Sequence, residues 1–307
     1  MFCTPTGAQH QPALPSGALS LSLILRKLYP EQGFILIFIA LLYFARPDKP
    51  MLDMESARHV MRHTGGNSRG DGKALPYPVA IALVHYASSN ITPQQTREEM
   101  MVTANILSRR GPCNFLIYGL GFDSPLWQAL NHGGRTVFLE EDPSWIAQML
   151  KAHPSLETYA VNYTTTLTDA DDLLAYVQRH QDICFPSERN LRQSKCKLVL
   201  KSLPEHLYGV KWDVIMIDAP RGYSPEFPGR MTAIYTSALM ARAASHDQST
   251  DILVHDVDRP VESKFSMEFF CAKNRMGEIG KLWHFQIFGE GAIHSSDFCT
   301  SSYKKRA

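Results

Sequence analysis

At 307 residues, 44% hydrophobic and 20% charged, the chain can bury a substantial core and has the makeup of a globular protein. Its net charge of +1 gives no sign of a nucleic-acid binder, which normally carries a basic excess. Six scattered cysteines (Cys3, Cys113, Cys184, Cys196, Cys271, Cys299) are too sparse for a disulfide scaffold and show neither a C-x-x-C pair nor a zinc spacing.

In chain order, the first feature is the uncharged run "GFILIFIALLYFA", Gly33 to Ala45. It is shorter than the roughly 20 residues that span an average bilayer as a helix. A short anchor, a signal-peptide core and a buried helix compete for it. The run starts well inside the chain, and Tyr43 sits where a cleavage site wants a small residue. A buried helix would show polar positions at helical spacing. The expectation is therefore an anchor over 33–45, whose shortness suits thin early-secretory bilayers. Arg26 and Lys27 nearly balance Arg46 and Lys49, so charge sets no orientation. Residues 46–75, extending by composition as far as Pro78, read as a stem. The folded domain is expected over 76–290, with a frayed tail over 291–307.

Within the domain, "TPQQTREEMMVTANILSRRGP" predicts a helix capped by Thr92, with Pro93 at its first position and Gln95 completing a capping box. Arg109 and Arg110 suit its negative end, and Gly111-Pro112 stops it. Buried strands are predicted at Phe115–Tyr118, Thr136–Glu140, Thr158–Val161, Val214–Ile217 and Ile252–Val254. Helices are predicted around Pro125–Asn131, Ser144–Lys151, Asp169–Arg179 and Thr232–Ala244. Such alternation implies an α/β fold, a mostly parallel sheet with helices on both faces and ligands at the carboxyl ends of its strands. After Val254 one further strand, Leu282–Ile287, is convincing. Cys184 and Cys196 flank a polar loop that they could bridge in an oxidising compartment or leave as two thiols. Two sequons, at Asn90 and Asn162, carry little expectation of glycosylation.

The first strand ends in Gly119-Leu-Gly121, a turn that lets a ligand approach the backbone. The second delivers Glu140 about 20 residues later, where an acid can accept bonds from ribose hydroxyls, with Glu141 and Asp142 as neighbours. A dinucleotide site wants a third glycine where Ser124 stands, and Asp123 would repel a pyrophosphate. S-adenosylmethionine, a sulfonium without phosphate, suits the acidic turn. Two later strands also end in acids, at Asp218 and at His255, Asp256 and Asp258. Acids after four strands on one sheet edge suit cofactor and proton chemistry, or a cation site.

"CNFLIYGLGFDSPLWQALNHGGRTVFLEEDPSWI", "WDVIMIDAPRGYSPEFPGRMTAIYTSALMAR" and "TDILVHDVDRPVESKFSMEFFC" resemble the plant glucuronoxylan 4-O-methyltransferase family of polysaccharide biosynthesis, over about Thr92 to Ile287. The resemblance implies a Rossmann-like methyltransferase fold, S-adenosylmethionine, and methyl transfer to O4 of glucuronic acid side chains on xylan. It also implies a type II Golgi-membrane anchor with the catalytic domain in the lumen and residues 1–32 in the cytosol, and xylan-synthesis proteins as partners. Relatives that act in xylan deposition without a clear methyltransferase signature depart at the glycine turn, whereas this chain keeps Gly119, Gly121 and Glu140. Another branch methylates glucuronic acid on arabinogalactan proteins and is not separated by motif. A non-catalytic assembly component and an NAD-dependent oxidoreductase are the other readings, the latter disfavoured by Asp123 and Ser124.

A glucuronate acceptor brings a carboxylate that a guanidinium can grip with two bonds. Arg230 is the first candidate, with Arg221 and Arg259 behind it. For the hydroxyl proton the candidates are Asp218 and the His255-Asp256 pair. Adjacent strand residues point to opposite faces, so His255 and Asp256 are not expected to face the acceptor together. Asp218 and Asp256 are alternatively a pair for a divalent cation.

Overall fold

The computed structural model describes residues 76–90, 94–184, 191–245, 247–289 and 298–299, all within the compact unit Lys73–Ala307. The expected anchor over 33–45 and stem over 46–75, together with Thr92 and Pro93, lie outside the described residues. No helix among those described is long and apolar enough to cross a membrane.

Seven strands form one sheet: β1 (Asn114–Tyr118), β2 (Arg135–Glu140), β3 (Glu157–Ala160), β4 (Val214–Ile217), β5 (Ser249–Val254), β6 (Arg275–Ile279) and β7 (Leu282–Phe288). Their spatial order is β3-β2-β1-β4-β5-β7-β6, parallel through the first five and antiparallel at β7 and β6. The central strands are apolar on both faces because helices cover both. Leu116, Tyr118, Val137 and Leu139 face one core with the helices α5 (Ala170–Arg179), α8 (Met231–Arg242) and α9 (Pro260–Phe270). Phe115, Ile117 and Phe138 face another with α2 (Arg97–Arg110), α3 (Ser124–Leu130) and α4 (Pro143–Ala152). Helix α8 is buried along its whole length. The remaining helices are α1 (Tyr77–Ser88), α6 (Gln181–Cys184) and α7 (Glu205–Tyr208).

Three expectations are corrected. The sheet has two strands after Val254, because β6 precedes β7. All five residues of "RMGEI" are exposed on the sheet edge, so no apolar alternation announces it. Helix α1 begins at Tyr77, within the last residues read as stem. Helix α2 begins later than expected: Thr96 is its cap, accepting from the Glu99 N–H, while Glu99 accepts from the Thr96 N–H at 2.7 Å. Thr96-x-x-Glu99 was the box to read, because its acid exchanges both bonds. Disulfides join Cys184 to Cys196 and Cys271 to Cys299, the second unforeseen because spacing does not reveal pairing.

Candidate active site

The turn after β1, the end of β2 and the end of β4 enclose a cleft of about 320 Å³. Gly119 adopts φ +122°, where a side chain is strained, and a Cβ there would lie 3.2 Å from Ala219 Cβ. A Cβ on Gly121 would lie 2.6 Å from Asp123 Oδ1. Asp123 accepts from Trp127 Nε1 at 2.9 Å. Burial, then the charge of Asp218, pushes its carboxyl up to about 6. Glu140 accepts from the amides of Glu141 (2.8 Å), Asp142 (3.0 Å) and Leu120 (3.3 Å). Burial outweighs these bonds and holds Glu140 above the usual carboxylate range.

Asp123, Glu140 and Asp218 line this cleft with Phe122, Trp127 and Trp145, and no lysine, arginine or histidine stands among the lining residues described. Three acids without a cation serve a phosphate poorly and a positively charged, partly aromatic ligand well. The residues thus fit S-adenosylmethionine. Glu141 is not part of this lining. Expected beside Glu140 at the cofactor, it faces an adjoining outer cleft that Glu140 also lines, and Arg221 Nε lies 3.3 Å from its Oε1.

The outer cleft, about 580 Å³, is bounded by Glu141, Asp218, Arg221, Tyr223, Asp256 and Arg259, among others. Asp218 lines both clefts. Its Oδ2 accepts from Gln95 Nε2 at 3.0 Å, and its Oδ1 lies 2.9 Å from His255 Nδ1. Burial would raise its pKa, but the His255 bond and the Arg230 charge together bring it below the ordinary value. Gln95, just before α2 and expected there as a capping residue, and Glu99, in its first turn, belong to the site as well.

Asp256 lines the outer cleft and His255 does not, as strand alternation led one to expect, yet their side chains approach each other. Strand β5 ends at Val254, and Asp256 takes φ 58°, which turns its carboxylate back toward His255 Nδ1, 3.6 Å away. His255 is itself 4% exposed and absent from the lining of both clefts. It stands behind Asp218, with its Nε2 3.6 Å from Glu99 Oε2. This placement withdraws it as a base touching the acceptor. Burial lowers its pKa, yet Asp218 and Asp256 raise it above the ordinary value overall.

Arg230 is corrected as well. It is 3% exposed, and its Nη1 donates to the carbonyls of Ile217 and His255. Its Nη2 donates to the Asp218 carbonyl (2.7 Å), Asp218 Oδ1 (3.1 Å) and Asp256 Oδ2 (2.6 Å). A guanidinium so committed ties the ends of β4 and β5 together and has no fork left for a substrate. Asp218, His255 and Asp256 offer ligand atoms within 4.8 Å of one another. Arg230 already bridges the two carboxylates, so a cation between them would have to displace it. Arg230 lines the outer cleft with Arg221 and Arg259, the last 2.9 Å from Asp256. Asp258 turns away to Lys281 at the surface.

Sheet order and cleft together are those of a Rossmann-like α/β domain of the methyltransferase type. The chain belongs to the IRX15/IRX15L/GXM family, whose model matches residues 98–285. Glucuronoxylan 4-O-methyltransferase 2 of Arabidopsis thaliana is 47% identical, over 76% of this chain and 79% of its own. Arabinogalactan O-methyltransferase 2 of the same plant is 49% identical, over 67% and 71%. Protein IRREGULAR XYLEM 15 is 36% identical, over 89% and 87%. Among solved structures, a methyltransferase-like protein from Silicibacter pomeroyi overlaps 64% of this chain and 89% of its own at 16% identity and a TM-score of 0.37, too loosely to carry an argument.

Proposed function

We propose that the chain transfers a methyl group from S-adenosylmethionine to O4 of glucuronic acid side chains on glucuronoxylan. The observation that carries this reading is Asp218, a partly buried carboxylate shared by an acid-lined cofactor cleft and an arginine-lined outer cleft. The family and the names of its 4-O-methyltransferase members support the acceptor.

When bound, the cofactor supplies a methyl on a cationic sulfur, already a strong electrophile. The chain must align the hydroxyl and take its proton. Gly119 and Gly121 would give the cofactor backbone access, Glu140 would accept from its ribose hydroxyls, and Asp123 would balance its positive charge. Arg221 and Arg259 hold the acceptor carboxylate. Asp218 takes the hydroxyl proton. His255 and Arg230 orient it from behind, and Asp256 steadies both.

The same reading puts the catalytic domain in the Golgi lumen behind a type II anchor at 33–45. The two disulfides support it, because such bonds persist in oxidising compartments. A second acceptor, glucuronic acid on arabinogalactan, is favoured by the 49% identity to an arabinogalactan O-methyltransferase. Labelled methyl transfer to the two polysaccharides side by side tests the reading. Faster labelling of glucuronoxylan is expected, faster labelling of arabinogalactan would select the second acceptor, and labelling of neither would reject both.

A further inference from the structure

The segment 221–229 between β4 and α8 is a closed loop at the rim of the outer cleft. The Gly229 N–H donates to the Arg221 carbonyl at 2.9 Å, and the Phe227 N–H to the Ser224 carbonyl at 3.0 Å. From the segment after β3, the Leu167 N–H donates to the Phe227 carbonyl at 2.9 Å. Gly229 closes the loop at φ +61°, where a Cβ would lie 2.5 Å from Leu167 Cδ2. The loop is therefore fixed from within and from its neighbour.

On this fixed loop Tyr223 is 68% exposed while lining the outer cleft beside Arg221 and Arg259. Its ring meets Phe227 edge to face, with centroids 4.7 Å apart, and the Arg221 guanidinium lies 4.8 Å over the Phe227 ring. Isolated exposed aromatics are ordinary. An aromatic held open at a cleft mouth is different, because a stiff side chain presents a large contact face at little entropic cost.

We propose that Tyr223 stacks on a pyranose ring of the polysaccharide, next to the sugar whose carboxylate faces Arg221 and Arg259; this rests on the function proposed above. The negative face of its ring attracts the weakly positive C–H groups on one side of a sugar. The ring carries no charge, so it suits a neutral sugar of the chain, while the arginines suit the glucuronate. The cleft, about 580 Å³, lies in the roughly 300–1,000 Å³ range of ligand pockets.

The test compares full-length wild type, Tyr223→Ala and Tyr223→Phe on polymeric glucuronoxylan and on a methyl glycoside of glucuronic acid. Tyr223→Ala should raise the KM for the polymer by about three- to tenfold relative to that for the glycoside. Tyr223→Phe should restore the wild-type ratio, because the ring face is kept. An unchanged ratio in Tyr223→Ala, or no rescue by phenylalanine, would overturn the inference. If the wild type transfers no methyl to either acceptor, the proposed function has failed, and native gels cast with glucuronoxylan read Tyr223 directly. Retardation of wild type and Tyr223→Phe but not Tyr223→Ala would then support stacking, and equal migration of all three would refute it.

Discussion

His255 Nδ1 lies 2.9 Å from Asp218 Oδ1, so a buried imidazole holds a carboxylate that borders both clefts. The His255 bond and the Arg230 charge hold Asp218 below the usual carboxylate range, and Asp218 in turn raises His255 above its ordinary value, so each favours the charged form of the other. Stability from Asp218 is present above the ordinary carboxylate value and is lost as pH falls through its lowered value. Stability from His255 is full below 6.5 and is lost as pH rises through its raised value. Asp218→Asn should cut kcat by roughly 10²–10⁴, with a far smaller loss of cofactor affinity. His255→Asn should cost less, since the imidazole acts through Asp218. Steady-state kinetics of both variants decide this, and near-normal turnover in Asp218→Asn would remove it as the base.

Glu99, 2% exposed and 3.6 Å from His255 Nε2, completes the buried row. Glu99→Gln keeps a side chain that can cap α2 but removes the charge facing the imidazole. The His255 titration followed by NMR should move to lower pH. An unmoved titration would make Glu99 a cap alone.

Asp123 should make cofactor affinity depend on pH. A cationic ligand favours the ionised carboxylate, so affinity should be full above about 6 and fall as pH drops through it. Folding responds in the other sense: between 3.8 and about 6 the folded chain keeps a proton that the unfolded chain has released, so Asp123 lowers stability as pH rises. Calorimetry across this window should give a sloping profile for wild type and a flat, weaker one for Asp123→Asn. Equal slopes would place the dependence elsewhere.

Arg230→Ala should destabilise the domain by about 3–5 kcal/mol, the cost of breaking a buried ion pair. Denaturant unfolding measures this. A fully stable variant with a raised acceptor KM would return Arg230 to the substrate.

Much of this architecture is legible in residues. The apolar runs of β1, β2 and β4 and the acids after them give the sheet and the cofactor edge, because a strand buried on both faces cannot hide its composition. The acceptor side is not legible in the same way. Arg230 has the composition of a substrate arginine, and only burial shows its bonds to be spent. His255 and Asp256 do not share the outer cleft, as adjacency on a strand implies, but the φ of 58° that brings the Asp256 carboxylate to the imidazole has no local signature. Gln95 and Glu99 reach the site from a helix start distant in sequence, a closeness that no local pattern encodes. Strand β6 pairs with β7 but buries nothing, so it leaves no apolar signature.

The most direct measurement is linkage analysis of the product formed from unmethylated glucuronoxylan and S-adenosylmethionine with a labelled methyl. The label should be found in 4-O-methylglucuronic acid when the wild-type chain is used, and should be nearly lost with Asp218→Asn. Label on another hydroxyl, on the carboxylate as an ester, or nowhere in the polysaccharide would contradict the account.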